Sequence, residues 1–276
     1  MLVALCMGAG AAEERPKSPG PGVEIGRRGS PGGLEPGVEP SGVIWHTGLE
    51  ILVVVGDEGS VNRLSGDGTS PDANWTQWSP GGDLEAIALP DPNAPMVYLG
   101  VEDPDAVVEF DLVRGAVTGR EWDLSSVMTG KANRGLEALA AGDGVVFAGH
   151  QGTGQIFVFA LLSQGEIELR SILSTSPERT DLSGLHFDHA TNSLFALYES
   201  GDLVRQMATD GSLIREFRVP GKDQEGVAVI GDCNSGRAVI YIAQDGGEVW
   251  RYPDYPVTCF RNQPNPAGVI SPREGG

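Results

Sequence analysis

Asp223–Tyr252 reads DQEGVAVIGDCNSGRAVIYIAQDGGEVWRY and carries the pattern that decides the fold. A short acidic opening leads into an apolar strand, a turn, a second strand that ends in acid, a Gly-rich turn and a third strand. Four earlier stretches repeat this layout, and they begin at Glu39, Asp83, Gly135 and Asp181. Glycine accounts for 40 of the 276 residues and is concentrated in turns between short apolar runs. This distribution is typical of an all-β protein with many hairpins.

The five repeats align on Ser41, Glu85, Glu137, Ser183 and Glu225, with spacings of 44, 52, 46 and 42 residues. A period of this length with four strands per unit predicts a β-propeller. One four-stranded sheet cannot bury both of its faces alone, whereas sheets arranged radially bury them against their neighbours. The sequence therefore predicts an all-β propeller with five blades of four antiparallel strands.

Four segments are expected along the chain. A single propeller domain is predicted over residues 39–262. Residues 1–12 look like a remnant of a secretory signal, because a short apolar run leads into small residues. Residues 13–38 are expected to be a flexible leader, since Pro, Gly and charge occur there without periodicity. Residues 263–276 are expected to be a C-terminal tail, and no stretch of the sequence is apolar enough to span a membrane.

The outermost strands of the first and last repeats are the least regular. Residues 75–78 are a candidate for the fourth strand of the first blade. Residues 257–260 are a candidate for the fourth strand of the last one. Since either end of the chain can supply the strand that closes the ring, both alternatives stay open here.

The charge limits the classes of partner that the protein can bind, and the cysteine content bears on its compartment. The formal net charge of −19 argues against nucleic acid, which requires clustered Lys and Arg, and favours cations or simple solubility. If Cys6 leaves with the signal, Cys233 and Cys259 remain, and export would allow them to form a disulfide. The alternative is two unrelated small apolar side chains. We expect an exported protein, periplasmic or extracellular.

Acidic residues recur where each repeat begins. In a propeller the first strand of each blade lines the central channel, and residues two apart on a strand share a face. The second strand returns to the same end, so its terminal acids should converge with those that open the first. The carboxylates of these two tiers that we predict as metal ligands are Glu39, Glu58, Glu85, Glu102, Glu137, Glu199, Glu225 and Asp245.

Converging carboxylates are costly unless a cation lies among them or some of them take up protons. Hard oxygen ligands from several strands suit calcium, which takes roughly six to eight of them. A plainer interpretation is that these acids end strands in solvated loops, where Asp and Glu are common. The two interpretations stay open at this stage.

Several stretches resemble one known family. They are EPSGVIWH (39–46), VVVGDEG (53–59), DLEAIAL (83–89), DLSGLHFD (181–188) and DQEGVAV (223–229). They are similar to the SdiA-regulated family of secreted bacterial β-propellers, which shares its repeat plan with phytase-like and esterase-like propellers. The resemblance implies a propeller with acidic channel positions and bound calcium. Ser41 and Ser183 depart from the channel carboxylate of that pattern, and Gly135 departs from the acid before it.

Three functions are compatible with this pattern. The first is an exported propeller that binds calcium and recognises an unknown ligand or protein at its acidic channel mouth. The second is a calcium-dependent phosphate-ester hydrolase, with Glu85, Glu137 and Glu225 as ligands of a metal that activates water. The third is a metal-free structural scaffold. No catalytic residue is predicted, and whether the protein is an enzyme stays open.

The remaining polar candidates are weaker. The four histidines are scattered, whereas a zinc site needs three or four convergent ligands. Three basic residues precede first strands and could hold an anionic substrate, although ordinary surface charge explains them as well: Lys131, Arg134 and Lys222.

Overall fold

The computed structural model describes residues 22–27, 33–65, 78–130 and 134–260, and it arranges them in five antiparallel sheets. The strands are β1 (Val23–Arg27), β2 (Pro40–His46), β3 (Ile51–Gly56), β4 (Ser60–Ser65), β5 (Asp83–Ala88), β6 (Met96–Glu102), β7 (Ala106–Asp111), β8 (Ala116–Asp123), β9 (Leu136–Gly142), β10 (Val145–His150), β11 (Ile156–Leu161), β12 (Ile167–Leu173), β13 (Leu182–Asp188), β14 (Ser193–Tyr198), β15 (Leu203–Met207), β16 (Leu213–Arg218), β17 (Gln224–Asp232), β18 (Arg237–Gln244) and β19 (Glu248–Pro256). The five-bladed propeller predicted from the sequence is confirmed. The predicted segments 1–12 and 263–276 lie outside the described residues.

Each blade begins at the channel with one inner strand: β2, β5, β9, β13 or β17. These five strands contact one another in ring order, and the fifth returns to the first. The second, third and fourth blades continue outward in sequence order, so neighbouring strands are joined by hairpins. Helix in the described residues consists of two short 3-10 turns, Ser163–Gly165 and Glu199–Gly201. No helix in that part of the chain is long and apolar enough to cross a membrane.

The fifth blade is completed by the N-terminal side of the chain. Its sheet has the order β1-β19-β18-β17, and β1 pairs antiparallel with β19. Residues 257–260 do not form the closing strand that we considered for them. The segment 13–38, expected to be a flexible leader, contains β1, because the outer edge of β19 offers unpaired backbone groups that a further strand satisfies. An ion pair between Arg27 and Glu248 (Nη1 to Oε1, 2.9 Å) lies across this strand pair.

The first blade has three named strands, β2, β3 and β4. At the place of a fourth strand, Trp78 forms an isolated antiparallel bridge with Val61. Trp78 belongs to the stretch 75–78 predicted as this strand, and residues 75–77 lie outside the described residues.

A hydrophobic core fills each of the five junctions between neighbouring blades. At the junction of the third and fourth blades, the rings of Phe147 and Phe187 stack with centroids 6.2 Å apart. At the junction of the first and fifth blades, Leu34 and Val38 of the leader are buried against the core. Every blade thus buries both faces, which is the condition that predicted a ring from the repeats.

Candidate metal centre

A β-bulge occurs at the same place in all five inner strands. The pairing of each inner strand with the second strand of its blade skips one residue, and the skipped residues are Ser41, Glu85, Glu137, Ser183 and Glu225. These are the residues on which the sequence repeats align. A bulge leaves one residue out of the ladder and re-aims its side chain. The repeated register of the sequence is therefore the register of a repeated bulge at the channel.

The residue after each bulge must be small because the inner strands approach closely there. A Cβ atom on Gly226 would lie 2.9 Å from the Cα atom of Gly42 in the first blade. A Cβ atom on Gly184 would lie 3.1 Å from the backbone N of Val227. The channel that remains is a narrow cavity of about 10 Å³, and Glu85, Glu137 and Glu225 are among its lining residues.

Three carboxylates meet at the second blade. Asp83 opens β5 and lies opposite Glu102 at the end of β6, and Glu85 is the bulged residue of β5. One carboxylate oxygen from each of Asp83, Glu85 and Glu102 lies within 4.8 Å of the other two. Oxygen atoms at this separation can share one ion, so the arrangement is able to hold a metal.

The channel glutamates are held in a strongly unfavourable environment for negative charge. Burial, together with Glu137, Asp83 and Glu102, raises the pKa of Glu85 to about 9. Burial and neighbouring carboxylates also raise the pKa of Glu137 and of Glu225 to about 8. Near neutral pH these groups hold protons unless a cation compensates their charge.

No positive side chain of the protein balances this group within the described residues. None of the Lys, Arg and His residues described forms an ion pair with Asp83, Glu85, Glu102, Glu137 or Glu225. Ser183 is a further polar group at the channel without a partner. It is 2 % exposed, and its Oγ has no hydrogen-bond partner. A buried hydroxyl usually has a partner. Both observations fit an ion or its ligands in the channel.

The third blade departs from the acidic pattern at Gly135, where two carboxylates of the second blade bond to the backbone. Glu102 Oε1 accepts a hydrogen bond from Gly135 N at 2.6 Å, and Asp105 Oδ1 accepts one from Leu136 N at 3.0 Å. A Cβ atom on Gly135 would lie 2.4 Å from that Asp105 oxygen. A side chain at position 135 would therefore require the Asp105 carboxylate to shift. Asp105 is a buried acid of the site that the repeat pattern did not indicate, because it lies outside the aligned positions.

The other predicted ligands lie at the same end of the ring but not in this three-carboxylate group. In the first blade Glu58 Oε2 accepts a hydrogen bond from Glu39 N at 3.2 Å, and burial with these two acids raises the pKa of Asp57 to about 6. In the fourth and fifth blades the two tiers meet through the backbone. Glu199 N donates to Asp181 O at 3.2 Å and Asp245 N donates to Asp223 O at 3.0 Å.

The histidines do not join the group. His46 Nε2 lies 2.9 Å from Ala94 O, and burial lowers the pKa of His186 to about 4. His189 follows β13 of the fourth blade, and its Nε2 lies 3.2 Å from Leu89 O in the second blade. Because β5 and β13 begin at the mouth, this contact joins two non-adjacent blades at the opposite end of the channel.

The predicted basic residues contribute little to the mouth. Lys222 pairs with Asp223 at 2.9 Å on the protein surface, and Arg134 is exposed. Lys131 lies outside the described residues.

Comparison with known proteins identifies the fold. No family model matches the chain, and no curated protein matches it. Among solved structures, the chain is similar to Myxococcus xanthus glutaminyl cyclase, with a TM-score of 0.56 and 14% sequence identity over 80% of this chain and 92% of that one. It also aligns with Kuenenia stuttgartiensis hydrazine synthase, with a TM-score of 0.48 and 13% identity over 76% of this chain and 57% of that one. At these identities the first likeness supports the propeller fold and nothing further.

Proposed function

We propose that this protein is an exported β-propeller of the SdiA-regulated type that binds calcium at its acidic channel mouth and recognises a ligand or partner there. The observation that carries the proposal is the approach of Asp83, Glu85 and Glu102 to within 4.8 Å of one another. Carboxylate oxygens are ligands that calcium prefers. A divalent cation among them would offset the repulsion that raises the pKa of Glu85.

Export is supported by the cysteines. Cys233 and Cys259 form a disulfide with Cα atoms 5.8 Å apart, so the predicted pairing is present. Structural disulfides form and persist mainly in oxidising compartments. The proposal also keeps residues 39–262 as one propeller domain, to which β1 adds a strand from the preceding segment.

The phosphate-ester hydrolase remains the second candidate. It requires basic side chains at the mouth to hold phosphate, and Lys222 is already paired with Asp223. We therefore place ligand recognition first. A metal-free scaffold is the third candidate, and the following experiment separates it from the other two.

Calcium is expected to raise the melting temperature of the chelator-treated protein. A ligand present at 100 times its dissociation constant stabilises the folded state by about 2.7 kcal/mol. For a chain of this size that is a shift of roughly 5 to 10 °C. The Glu85→Gln variant should lose most of this shift, because one of the three convergent carboxylates is replaced by a neutral amide. Thermal unfolding with calcium and with chelator measures both effects.

Glu121→Gln is the matched control, because Glu121 is an exposed carboxylate on the outer strand β8. Its calcium shift should equal that of the wild type. A wild-type protein that melts at the same temperature with calcium and with chelator would favour the scaffold. If both variants lose the calcium-induced shift in melting temperature equally, calcium does not bind at the channel mouth.

The calcium-free protein is expected to lose stability as pH rises. Glu85, Glu137 and Glu225 have pKa values of about 9, 8 and 8 when folded, against 4.5 when unfolded. Their contribution to stability is complete below pH 4.5 and is lost as pH rises from there through 8 and 9, because over this range the unfolded state has released protons that the folded state still holds. In chelator, Glu85→Gln should therefore melt higher than the wild type at about pH 9 and lose less stability from about pH 6 upward. Equal pH slopes for the two proteins would contradict the prediction.

A further inference from the structure

A second cavity lies between the third and fourth blades, separate from the channel. Two loops on the mouth side of the ring form its walls, the β10–β11 loop and the connection from β12 to β13. Its volume is about 220 Å³, and its lining residues are Thr153, Gly154, Gln155, Ser174, Thr175, Glu178 and Arg179. The lining consists of hydroxyl, amide and charged groups, so the cavity is suited to a polar ligand rather than an apolar one.

Two guanidinium groups lie beside the cavity and share one carboxylate. Arg179 donates from Nη2 to Glu216 Oε1 at 3.3 Å, and Arg205 donates from Nε to Glu216 Oε2 at 2.7 Å. One carboxylate thus serves two guanidinium groups. The Nε atom of Arg179 and the Nη2 atom of Arg205 are buried without a hydrogen-bond partner.

The wall of the cavity is held in place before any ligand binds. Arg205 is fully buried and donates from Nη1 to Pro177 O at 2.7 Å, which fixes the loop between Thr175 and Arg179. Tyr198 Oη donates to Thr175 Oγ1 at 3.3 Å, and the Arg205 guanidinium lies 5.2 Å from the Tyr198 ring centre. A preorganised wall loses little entropy when a ligand binds.

The two loops also contact each other closely. Gly154 has a φ of +66°, and a Cβ atom there would lie 1.7 Å from Arg179 O. Only glycine fits this position, and its presence lets the β10–β11 loop close against the residue that carries the guanidinium. This close contact between the two loops places Arg179 and Gln155 on the wall of the same cavity.

We propose that this cavity binds the oxyanion group of a small soluble ligand, a carboxylate or a phosphate, and that Arg179 is the side chain that contacts it. The planar guanidinium presents paired donors that match either oxyanion. The hydroxyls of Thr153, Ser174 and Thr175 and the amide of Gln155 supply further donors. This site stands apart from the proposed calcium site, and its occupancy does not depend on calcium.

The test is a calorimetric titration of the chelator-treated protein with inorganic phosphate and, separately, with succinate. We expect saturable binding of at least one anion. Arg179→Gln should weaken that binding at least about tenfold, since a hydrogen bond to a charged group contributes about 1.5 to 3 kcal/mol. Glu178→Gln removes an exposed negative charge from the lining and should tighten binding. That variant keeps the proposal testable if Arg179→Gln does not fold.

Arg170→Gln is the control, because Arg170 pairs with Glu168 on the exposed strand β12 and does not line the cavity. It should bind as the wild type does. Phosphate binding without succinate binding identifies a phosphate site, and the reverse identifies a carboxylate site. Saturable binding of neither anion would overturn the proposal, as would equal affinities in Arg179→Gln and Arg170→Gln. Because no calcium is present, these outcomes leave the calcium proposal to its own test.

Discussion

Replacing Glu216 with glutamine is expected to lower the free energy of unfolding by about 3 kcal/mol. Glu216 Oε2 accepts from Arg205 Nε at 2.7 Å, and the Arg205 side chain is 0 % exposed. The substitution would leave a fully buried guanidinium without its carboxylate. Removing one partner of a buried pair costs more than the pair contributes, because the remaining charge stays desolvated. Urea unfolding near neutral pH measures the loss.

The outer strand of the neighbouring blade offers a matched control. Arg170 and Glu168 form an ion pair of 2.9 Å in which both side chains are about half exposed. Glu168→Gln should change the free energy of unfolding by less than about 1 kcal/mol, because water already screens such a pair. If Glu216→Gln costs no more than Glu168→Gln, the buried charge is not held as the structure indicates.

A double substitution distinguishes the loss of the Arg205–Glu216 attraction from the cost of leaving the Arg205 charge buried and unpaired. Arg205→Met with Glu216→Gln removes both charges and leaves an apolar side chain of similar length beside Tyr198. Replacing a buried ion pair by apolar residues is often neutral or stabilising. The double variant should therefore recover most of the stability that Glu216→Gln loses. Failure to recover would mean that the bond from Arg205 Nη1 to Pro177 O carries the stability instead.

The blades were predictable from the sequence because the centre of a propeller imposes the same requirement five times. At Gly42, Ala86, Ala138, Gly184 and Gly226 the inner strands approach too closely for a large side chain. That requirement is local, so it appears in the sequence as a small residue after each aligned position. The bulge just before it explains why the aligned residues themselves are polar: they leave the ladder and face the channel.

The closure of the ring was not predictable in the same way. Residues 23–27 read VEIGR, in a Pro- and Gly-rich stretch with no repeat to mark it as a strand. The strand exists because the edge of β19 is available for pairing, which is a tertiary condition. Residues 257–260 have stronger β propensity, yet they hydrogen-bond to the fourth blade, with Thr258 N donating to Gln206 Oε1 at 3.0 Å.

The candidate sites also differ in whether a repeated sequence position or a tertiary contact determines them. Glu85 and Glu102 were predicted because they occupy repeated positions, and the structure brings them together with Asp83. Asp105 was missed because its role depends on the neighbouring blade, where it accepts from Leu136 N. The cavity at Arg179 was missed for a similar reason. Its charge depends on Arg205 and Glu216, which belong to one blade and carry no repeated signal.

Removing the disulfide is expected to destabilise the protein by about 3.5 kcal/mol. The bond joins Cys233 and Cys259, which are 26 residues apart. Closing a loop of that length in the unfolded chain removes entropy worth about 3.5 kcal/mol at 25 °C. The Cys233→Ser, Cys259→Ser double variant should therefore melt roughly 10 °C lower than the wild type.

The bond ties the segment after β19 to the β17–β18 turn of the fifth blade, and the same segment contacts the fourth blade. Phe260 N donates to Thr191 O at 3.0 Å, and Gln206 Nε2 donates to Thr258 O at 2.6 Å. When the bond is absent these contacts must hold the segment alone, so amide exchange at Thr258 and Phe260 should accelerate more than exchange in the inner strands. Reduction of the wild type should lower its melting temperature as much as the double substitution does. A reduced protein that melts within about 2 °C of the oxidised one would show that the fold does not depend on this link.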